Sequence, residues 1–377
     1  MHVPLIKPDL PTLEDIREPI EEILANGRIT NFGKYVGQFE AETGAYLGTQ
    51  TVALSSGTAG LMFALAALEL KPGEKVIFPS FTFVATAQAV LYAGGVPLFA
   101  DIDDDLNISV SDLERLLDEN PDVGAVIAVH MYGLPARARE IEDVMARASQ
   151  KRGRKIGLIF DGAHAFGSSI GGRKVGGFGD AEVFSLSVTK VLVTVEGGLV
   201  STRDPEIVRR IRFMRNYGIQ SNYNAHFPGV NGKMSEFHAI VGLHNLRRID
   251  ALLEERQAKA RCFRDKVERG TGFRLACWPE GVVHTFKDFT ILVPGETGDG
   301  RRDRIIKFLG EQGVETRAYF YPPVHEQEFF ARFAARPLPK TECLSRRVIT
   351  LPFFTALTEE QMDYMVEKLK QADKEIV

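Results

Sequence analysis

The sequence has few cysteines and no long apolar run. Its 377 residues include three cysteines, which are widely spaced and form no Cys-x-x-Cys pair. This pattern fits neither a disulfide framework nor a zinc site, so we expect reduced thiols at Cys262, Cys277 and Cys343. The apolar segments 61–68 and 123–129 are well below the roughly 18 residues of a membrane-spanning helix. The sequence therefore argues against membrane insertion.

Neither sign of charge dominates the chain. It has 46 Lys and Arg against 50 Asp and Glu, a formal net charge of −4, which gives no global positive field to attract nucleic acid. Hydrophobic residues make up 44% and charged residues 25%, close to the average of globular proteins. Residues 1–8 show no charged segment followed by an apolar one, as a secretion signal would. We therefore expect a folded cytoplasmic protein.

Several cofactor and metal motifs are also missing. No G-x-G-x-x-G follows a strand, there is no P-loop, and His325-Glu326 lacks the second histidine of a zinc protease motif. The acidic segment 101–105 is similar to the start of a calcium loop. However, Leu106 stands where that loop needs glycine, and Asp112 replaces its bidentate glutamate. We expect a solvated acidic loop here and no metal site.

Short β-rich segments recur through the first 200 residues or so. They lie at 51–54, 75–79, 96–100, 125–130, 157–161, 181–186 and 198–202. Most are continuous apolar runs, as in strands covered on both faces, and helical patterns at 58–70, 111–119 and 138–150 separate several of them. This alternation predicts a mainly parallel α/β sheet of seven strands.

Helical patterns flank the predicted sheet. A capping box at Thr12 and Asp15 predicts a helix that ends at Gly27, with Pro19 bending or delaying it. Its expected apolar stripe is Ile16, Ile20, Ile23 and Leu24. A long helical pattern runs from residue 235 to about 270, and we expect the domain boundary along it. The sequence thus predicts a large α/β domain over residues 1–250 and a smaller C-terminal α+β domain over 251–377.

Small and polar residues follow three predicted strands, at the sheet edge where open α/β proteins bind ligands. Segment 55–60, Ser-Ser-Gly-Thr-Ala-Gly, opens a helix whose free N–H groups could hold a phosphate, or it is an ordinary N-cap. Asp161 ends an apolar strand, where a carboxylate needs a cationic partner or acts as a helix cap. Lys190 lies among valines and leucine, and burial there would lower its pKa and make it a usable nucleophile.

With the aromatic loop at 81–83, these residues supply the phosphate cradle, counter-ion, amine and stacking partner that pyridoxal phosphate requires. The chain resembles the DegT/DnrJ/EryC1/StrS family, the fold-type-I pyridoxal-phosphate aminotransferases that aminate keto-sugars bound to nucleotides. The resemblance extends from segment 31–36 through Lys190 to segment 351–354. It implies an aspartate aminotransferase-like fold and a homodimer with active sites shared between subunits.

The resemblance also implies residue roles. Lys190 would form the Schiff base, Asp161 would pair with the ring nitrogen, His164 would reach the phenolic oxygen, and Phe83 would stack on the ring. Asn231 would reach the phosphate of the neighbouring subunit's cofactor. The full cofactor set is Gly57, Thr58, Ala59, Phe83, Asp161, Ala163, His164, Ser185, Lys190 and Asn231. The implied substrate-binding residues are Lys34, Lys233, Tyr321 and His325.

These roles imply a ping-pong transamination in which glutamate donates the amino group, Lys190 acts as base and Asp161 keeps the ring nitrogen protonated. Relatives that dehydrate sugars have histidine in place of the lysine, so Lys190 favours transamination. A free cyclitol or small keto compound as substrate, and a non-catalytic regulatory homologue, remain alternatives. The arginines at 209, 210, 212 and 215 form an exposed helix face or bind a substrate phosphate or carboxylate. Two departures leave the substrate open: the apolar segment 191–195, and Lys233 where arginine is common.

Overall fold

The computed structural model describes residues 1–276, 279–295 and 300–376, so Cys277 lies outside the described residues. The helices are α1 Leu13–Asn26, α2 Lys34–Leu47, α3 Gly57–Ala67, α4 Val84–Tyr92, α5 Val110–Glu119, α6 Ala138–Arg152, α7 Pro205–Met214, α8 Glu236–Leu246, α9 Ile249–Gly270, α10 Arg301–Glu311, α11 Pro339–Ser345 and α12 Glu359–Glu375. The strands are β1 Gln50–Leu54, β2 Lys75–Pro79, β3 Val96–Ala100, β4 Val123–Val129, β5 Gly157–Asp161, β6 Ser169–Ile170, β7 Arg173–Lys174, β8 Ala181–Ser185, β9 Gly198–Thr202, β10 Ile219–Ser221, β11 Asn224–Ala225, β12 Arg274–Leu275, β13 Val282–Val283, β14 Phe289–Leu292 and β15 Val348–Leu351.

The seven predicted strands form one sheet in the order β1-β9-β8-β5-β4-β2-β3. Strands β2, β3, β4, β5 and β8 pair in parallel, whereas β9 runs antiparallel to both of its neighbours, β1 and β8. Apolar clusters cover both faces: Leu158 and Phe160 of β5 belong to one cluster and Ile159 to the other. Side chains alternate between faces along a strand, so a continuous apolar run is what this two-sided burial requires. The predicted mainly parallel α/β sheet is confirmed.

The first helix has the predicted ends. Thr12 and Asp15 form the capping box of α1, and Gly27 ends the helix in a left-handed conformation (φ 67°). Pro19 lies inside α1 without ending it. The predicted stripe was wrong at Leu24, which is 65% exposed, because consecutive residues of an α-helix point about 100° apart and Leu24 therefore faces away from the buried side of Ile23.

The predicted long helix over 235–270 was wrong, because it is two helices. α8 ends at Leu246 and α9 begins at Ile249, and between them Arg248 leaves helical geometry (φ −107°, ψ −1°). α8 is buried on most of its surface, whereas α9 buries only one apolar side. The pattern of burial therefore changes where the chain passes from α8 to α9.

A third apolar cluster joins α9, α10 and α12 with β14 and β15. It also includes Val3, which forms an isolated bridge with Val314. The N-terminal residues thus pack against the C-terminal part of the chain, which the sequence did not indicate. The boundary near residue 250 stays a prediction.

Candidate active site

A cavity of about 400 Å³ lies at the edge of the main sheet where β5 and β8 end. Its lining comes from strand ends, from the start of α3 and from the C-terminal part of the chain. The lining residues include Ser56, Gly57, Thr58, Phe83, Asp161, Ala163, His164, Ser185, Lys190, Lys287, Asp288, Tyr319 and Phe320. Most of the cofactor positions implied by the sequence therefore meet in one cavity.

Asp161 is a buried carboxylate at the end of β5. Its Oδ2 accepts a hydrogen bond from Thr86 Oγ1 at 2.8 Å, and its Oδ1 accepts one from the Ala163 N–H at 3.1 Å. Burial raises the pKa of Asp161, while these hydrogen bonds and the nearby Lys190 act in the opposite direction. The carboxylate is thus oriented by neutral donors and makes no direct ion pair among the described residues.

Lys190 lies in the loop after β8, and its amine makes no hydrogen bond or ion pair within the part of the chain that the structure describes. Burial and, secondly, the positive charge of Lys287 lower the pKa of Lys190 to about 8, while Asp288 and Asp161 oppose this shift. About a tenth of the amine is therefore neutral at pH 7, far more than for a lysine with an ordinary pKa. This is the form that attacks a carbonyl carbon.

The start of α3 faces the cavity and offers free backbone N–H groups to an anion. Gly57 lies against the end of β8, where a Cβ on residue 57 would come 2.9 Å from the Ser185 Cβ. Glycine is therefore needed for the close approach of the two segments. Ser56 caps the helix by accepting a hydrogen bond from the Ala59 N–H at 3.1 Å. Ala59 lies outside the cavity lining, and its side chain packs on the apolar cluster beneath α3.

Aromatic and imidazole rings line the opposite part of the cavity. The Phe83 side chain is 58% exposed, and its ring centroid lies 5.9 Å from that of Phe320. Burial and the positive charges of Lys190 and Lys287 hold the pKa of His164 well below its usual value. His164 is therefore a neutral imidazole at physiological pH.

These residues fit pyridoxal phosphate. Gly57, Thr58 and Ser185 would hold the phosphate at a helix start, Asp161 would accept a hydrogen bond from a protonated ring nitrogen, and Lys190 would supply the amine. A ligand that binds to all three parts of this site must carry a phosphate, a basic ring and a carbonyl. Pyridoxal phosphate has these three features.

Comparison with known proteins decides the family. Residues 12–370 match the DegT/DnrJ/EryC1/StrS aminotransferase family.

The chain belongs to this family. It is 36% identical over 355 residues to the UDP-N-acetyl-3-dehydro-alpha-D-glucosamine 3-aminotransferase of Acidithiobacillus ferrooxidans, covering 93% of this chain and 92% of that one. It is 31% identical over 364 residues to a pleiotropic regulatory protein of Geobacillus stearothermophilus, covering 95% of this chain and 94% of that one. Spr1654 of Streptococcus pneumoniae, assigned as a sugar aminotransferase, superposes in its PLP form with a TM-score of 0.91 at 25% identity over the whole of both chains.

The family, the fold type, the enzyme class and the cofactor predicted from the sequence are thereby confirmed. The chain is an aminotransferase that uses pyridoxal phosphate. No helix of the described residues is long and apolar enough to span a membrane.

Besides Ala59, five implied site residues of this aminotransferase lie outside the cavity lining. Lys34 pairs with Glu22 at 2.6 Å, and Lys233 lies 5.0 Å from the centre of the Tyr217 ring. The others are Asn231, which is exposed, Tyr321, which is 41% exposed, and His325, which is buried against Ser80. Their roles in binding cofactor or substrate stay predictions.

The arginines at 209–215 are engaged in ion pairs. Arg209 and Arg210 pair with Glu206, and Arg212 and Arg215 pair with Glu40. Their charges are therefore matched within the chain, which favours a structural role over substrate binding.

The acidic segment 101–105 makes hydrogen bonds and an ion pair with other parts of the chain. Asp101 accepts hydrogen bonds from the N–H groups of Lys340 and Thr341 at 3.1 and 2.7 Å, and Asp103 pairs with Arg137. The expected solvated loop is thus found only in part: Asp104 is exposed, whereas the C-terminal part of the chain covers Asp101.

Sequence reasoning missed the wall of the cavity formed by Lys287, Asp288, Tyr319 and Phe320, which we call the C-terminal wall. The available signal was the charged pair Lys287-Asp288 directly before the apolar strand β14. It also missed Thr86, which orients Asp161, because a threonine on an apolar helix gives no local sign of its partner.

Proposed function

We propose that this enzyme converts a nucleotide-linked keto-sugar into an amino sugar, with glutamate as the amino donor. One observation supports the chemistry: Asp161 and Lys190 share a cavity, and neither is neutralised there by a direct ion pair among the described residues. The substrate class is supported by the relative that acts on a UDP-linked keto-sugar, which matches over nearly the whole chain. The direction and the donor follow from the resemblance to the family.

Bound pyridoxal phosphate supplies an electron sink for the charge left when the donor Cα loses its proton. Asp161, oriented by Thr86 and the Ala163 N–H, would keep the ring nitrogen protonated. The start of α3 and Ser185 would hold the phosphate. Lys190 would take the proton from the donor Cα and deliver it to the cofactor carbon C4′, as a general base and then a general acid. The keto acid leaves before the keto-sugar enters, so the kinetics are ping-pong.

Two other functions are distinguished by experiment. A free cyclitol or small keto compound as substrate would leave the rate insensitive to competition by a nucleoside diphosphate. A regulatory function is favoured by the name of one relative. Against it, a lysine with a pKa lowered to about 8 beside a cavity is a feature of catalysis that regulation alone does not need.

The test of the half-reaction is an absorbance titration of the purified protein with pyridoxal phosphate, before and after excess glutamate. We expect a visible band in the wild type that glutamate bleaches. Lys190→Ala should form no such band. Lys287→Met is the matched control, since it removes the other lysine of the same cavity and should retain the band. A band that survives in Lys190→Ala and disappears in Lys287→Met would overturn the assignment of the Schiff-base lysine.

The substrate is tested next by mixing the glutamate-treated enzyme with keto-sugars linked to UDP, GDP or dTDP. Return of the visible band with at least one of them supports the proposal. Its return only with unlinked keto compounds would establish the cyclitol-type alternative, and no return with either class would favour the regulatory one.

We further propose a homodimer in which Asn231 contributes to the partner's site. Exposed apolar side chains on the same segment support a covered surface: Tyr217 is 49%, Tyr223 is 95% and Val230 is 50% exposed. Mixing Lys190→Ala with Asn231→Ala subunits should restore activity, because one hybrid site then combines an intact Lys190 with an intact Asn231. Absence of any rescue in a proven mixed dimer would contradict shared sites. The cytoplasmic location stays a prediction.

A further inference from the structure

The C-terminal wall contains a buried pair of opposite charges. The side chains of Lys287 and Asp288 are 5% and 4% exposed, and Lys287 Nζ lies 2.7 Å from Asp288 Oδ1. Only one carboxylate oxygen is used by this contact. Asp288 Oδ2 is buried and accepts no hydrogen bond from the described residues.

His164 faces this unused oxygen. Its Nδ1 lies 3.6 Å from Asp288 Oδ2, so a small rotation of either side chain brings the two atoms within hydrogen-bonding distance. A buried carboxylate oxygen without a donor is unfavourable. The imidazole N–H is the donor positioned to relieve this.

The backbone holds the two residues together. Thr285 Oγ1 donates a hydrogen bond to the His164 carbonyl at 2.7 Å, and the Lys287 N–H donates one to the Tyr132 carbonyl at 3.0 Å. Gly133 makes this contact possible, because a Cβ there would lie 1.8 Å from Thr285 Oγ1. These contacts between the two chain segments therefore fix the short distance between Asp288 and His164.

Because His164 is neutral, its contact with Asp288 depends on which ring nitrogen carries the proton. The charged and titratable groups around it are Lys190, Lys287, His284 and Asp288. Burial and the positive neighbours keep the ring neutral, and a neutral imidazole carries a proton on one nitrogen only. A carboxylate next to Nδ1 favours the proton at that nitrogen.

We propose that Asp288 is a positioning residue that fixes His164 as its Nδ1–H tautomer, which leaves Nε2 as a hydrogen-bond acceptor at the cavity. Lys287 would fix the orientation of Asp288 through Oδ1. The two wall residues then act on the cofactor's surroundings through His164. This inference concerns the protein without cofactor or substrate, so it is independent of the proposed substrate.

The test is the ¹⁵N NMR spectrum of the histidine rings in the apoprotein, whose ring-nitrogen shifts report the tautomer. The chain has eight histidines, and His164→Gln identifies the signal of residue 164. We expect Nδ1–H in the wild type. In Asp288→Leu, the ratio of Nδ1–H to Nε2–H should fall by on the order of tenfold, as expected for loss of a hydrogen bond to a charged group.

Two further variants guard against indirect effects. Asp288→Asn keeps the shape and an oxygen acceptor, and should lower the ratio by less than Asp288→Leu. Asp105→Asn removes a carboxylate from the small pocket on the other side of Asp288 and should leave the ratio unchanged. The pH dependence of the bound-cofactor absorbance should shift in Asp288→Leu and not in Asp105→Asn.

The proposal is overturned if wild-type His164 is the Nε2–H tautomer, or if both Asp288 variants leave the ratio unchanged. If Asp288→Leu does not fold, the tautomer of the wild type and the ratio measured in Asp288→Asn still test the proposal. A purely structural role of Asp288 predicts a lower melting temperature with no change of tautomer.

Discussion

The floor and the C-terminal wall of the cavity are built in different ways. The floor consists of Gly57, Asp161, Ser185 and Lys190, which follow strands of one sheet. The wall consists of residues from the C-terminal part of the chain, beyond α9. Strand ends of one sheet meet at the same edge, so the floor follows from local sequence. The wall depends on how the remainder of the chain folds back.

The two regions also handle charge differently. On the floor, Asp161 has only neutral donors, and the amine of Lys190 has no direct partner among the described residues. In the wall, Lys287 and Asp288 neutralise each other at 2.7 Å. Unpaired buried charges have displaced pKa values and can take part in proton transfer. The paired residues of the wall instead shift the pKa values of neighbouring groups, as Lys287 lowers the pKa of Lys190.

The largest expected effect comes from the floor. Asp161→Asn keeps the shape of the side chain but removes its charge, so under the proposed mechanism the ring nitrogen would lose the group that keeps it protonated. We expect the rate at which glutamate bleaches the bound cofactor to fall by on the order of 10²–10³-fold, the usual range for one electrostatic group in an active site. Stopped-flow absorbance measures this rate, with Asp105→Asn as the control. A wild-type rate in Asp161→Asn would show that the counter-ion role is wrong.

A medium effect should link the wall to the floor. Lys287→Met removes a positive charge that lowers the pKa of Lys190, so this pKa should rise above about 8. The neutral amine attacks the cofactor, and its fraction falls tenfold for each pH unit below the pKa. At pH 7 the apoprotein should therefore take up pyridoxal phosphate up to about tenfold more slowly per unit of pKa increase.

The measurement is the uptake rate between pH 6 and 10, which in the wild type should rise with pH and level off above about 8. Lys287→Arg keeps the charge and should keep the wild-type midpoint. If Lys287→Met also keeps it, the wall does not act on the floor through its charge.

The smallest effect concerns the loop that carries Lys190. Val195 has a φ of 74°, a conformation that is strained for a β-branched side chain by about 1–3 kcal/mol. Val195→Gly relieves this strain. It also stabilises the unfolded chain by about 0.4–1 kcal/mol, because glycine has more conformational freedom there, and this effect lowers the free energy of unfolding. We expect a net increase of about 1 kcal/mol in the free energy of unfolding, measured with urea.

Val188→Gly is the matched control for Val195→Gly. Val188 is an exposed valine of the same loop, 38% against 42% exposed, and it has no positive φ. Val188→Gly should lower the free energy of unfolding. Equal effects of the two substitutions would show that the backbone of residue 195 stores no strain.

Much of the fold and of the site could be predicted from local pattern. The apolar runs of the sheet gave strands within a few residues of their observed bounds, because two-sided burial requires such runs. The sequence indicated Asp161 and Lys190 as site residues because a charged residue after a buried apolar strand is unfavourable unless it has a partner or a function. Asp288 was not, because its partner His164 lies in a distant segment and no local pattern indicates the contact.

By itself, the sequence determined the strands of the sheet, the family and the charged groups of the floor, since each strand, each family motif and each charged group is recognised from residues close together in the chain. Only the tertiary structure decided three other features: the break between α8 and α9, the packing of Val3 in the C-terminal core and the approach of Asp288 to His164. The physical reason is the same for all three. Burial and hydrogen bonding between distant segments are satisfied by the whole fold, whereas strand patterns and helix caps are satisfied within a few residues.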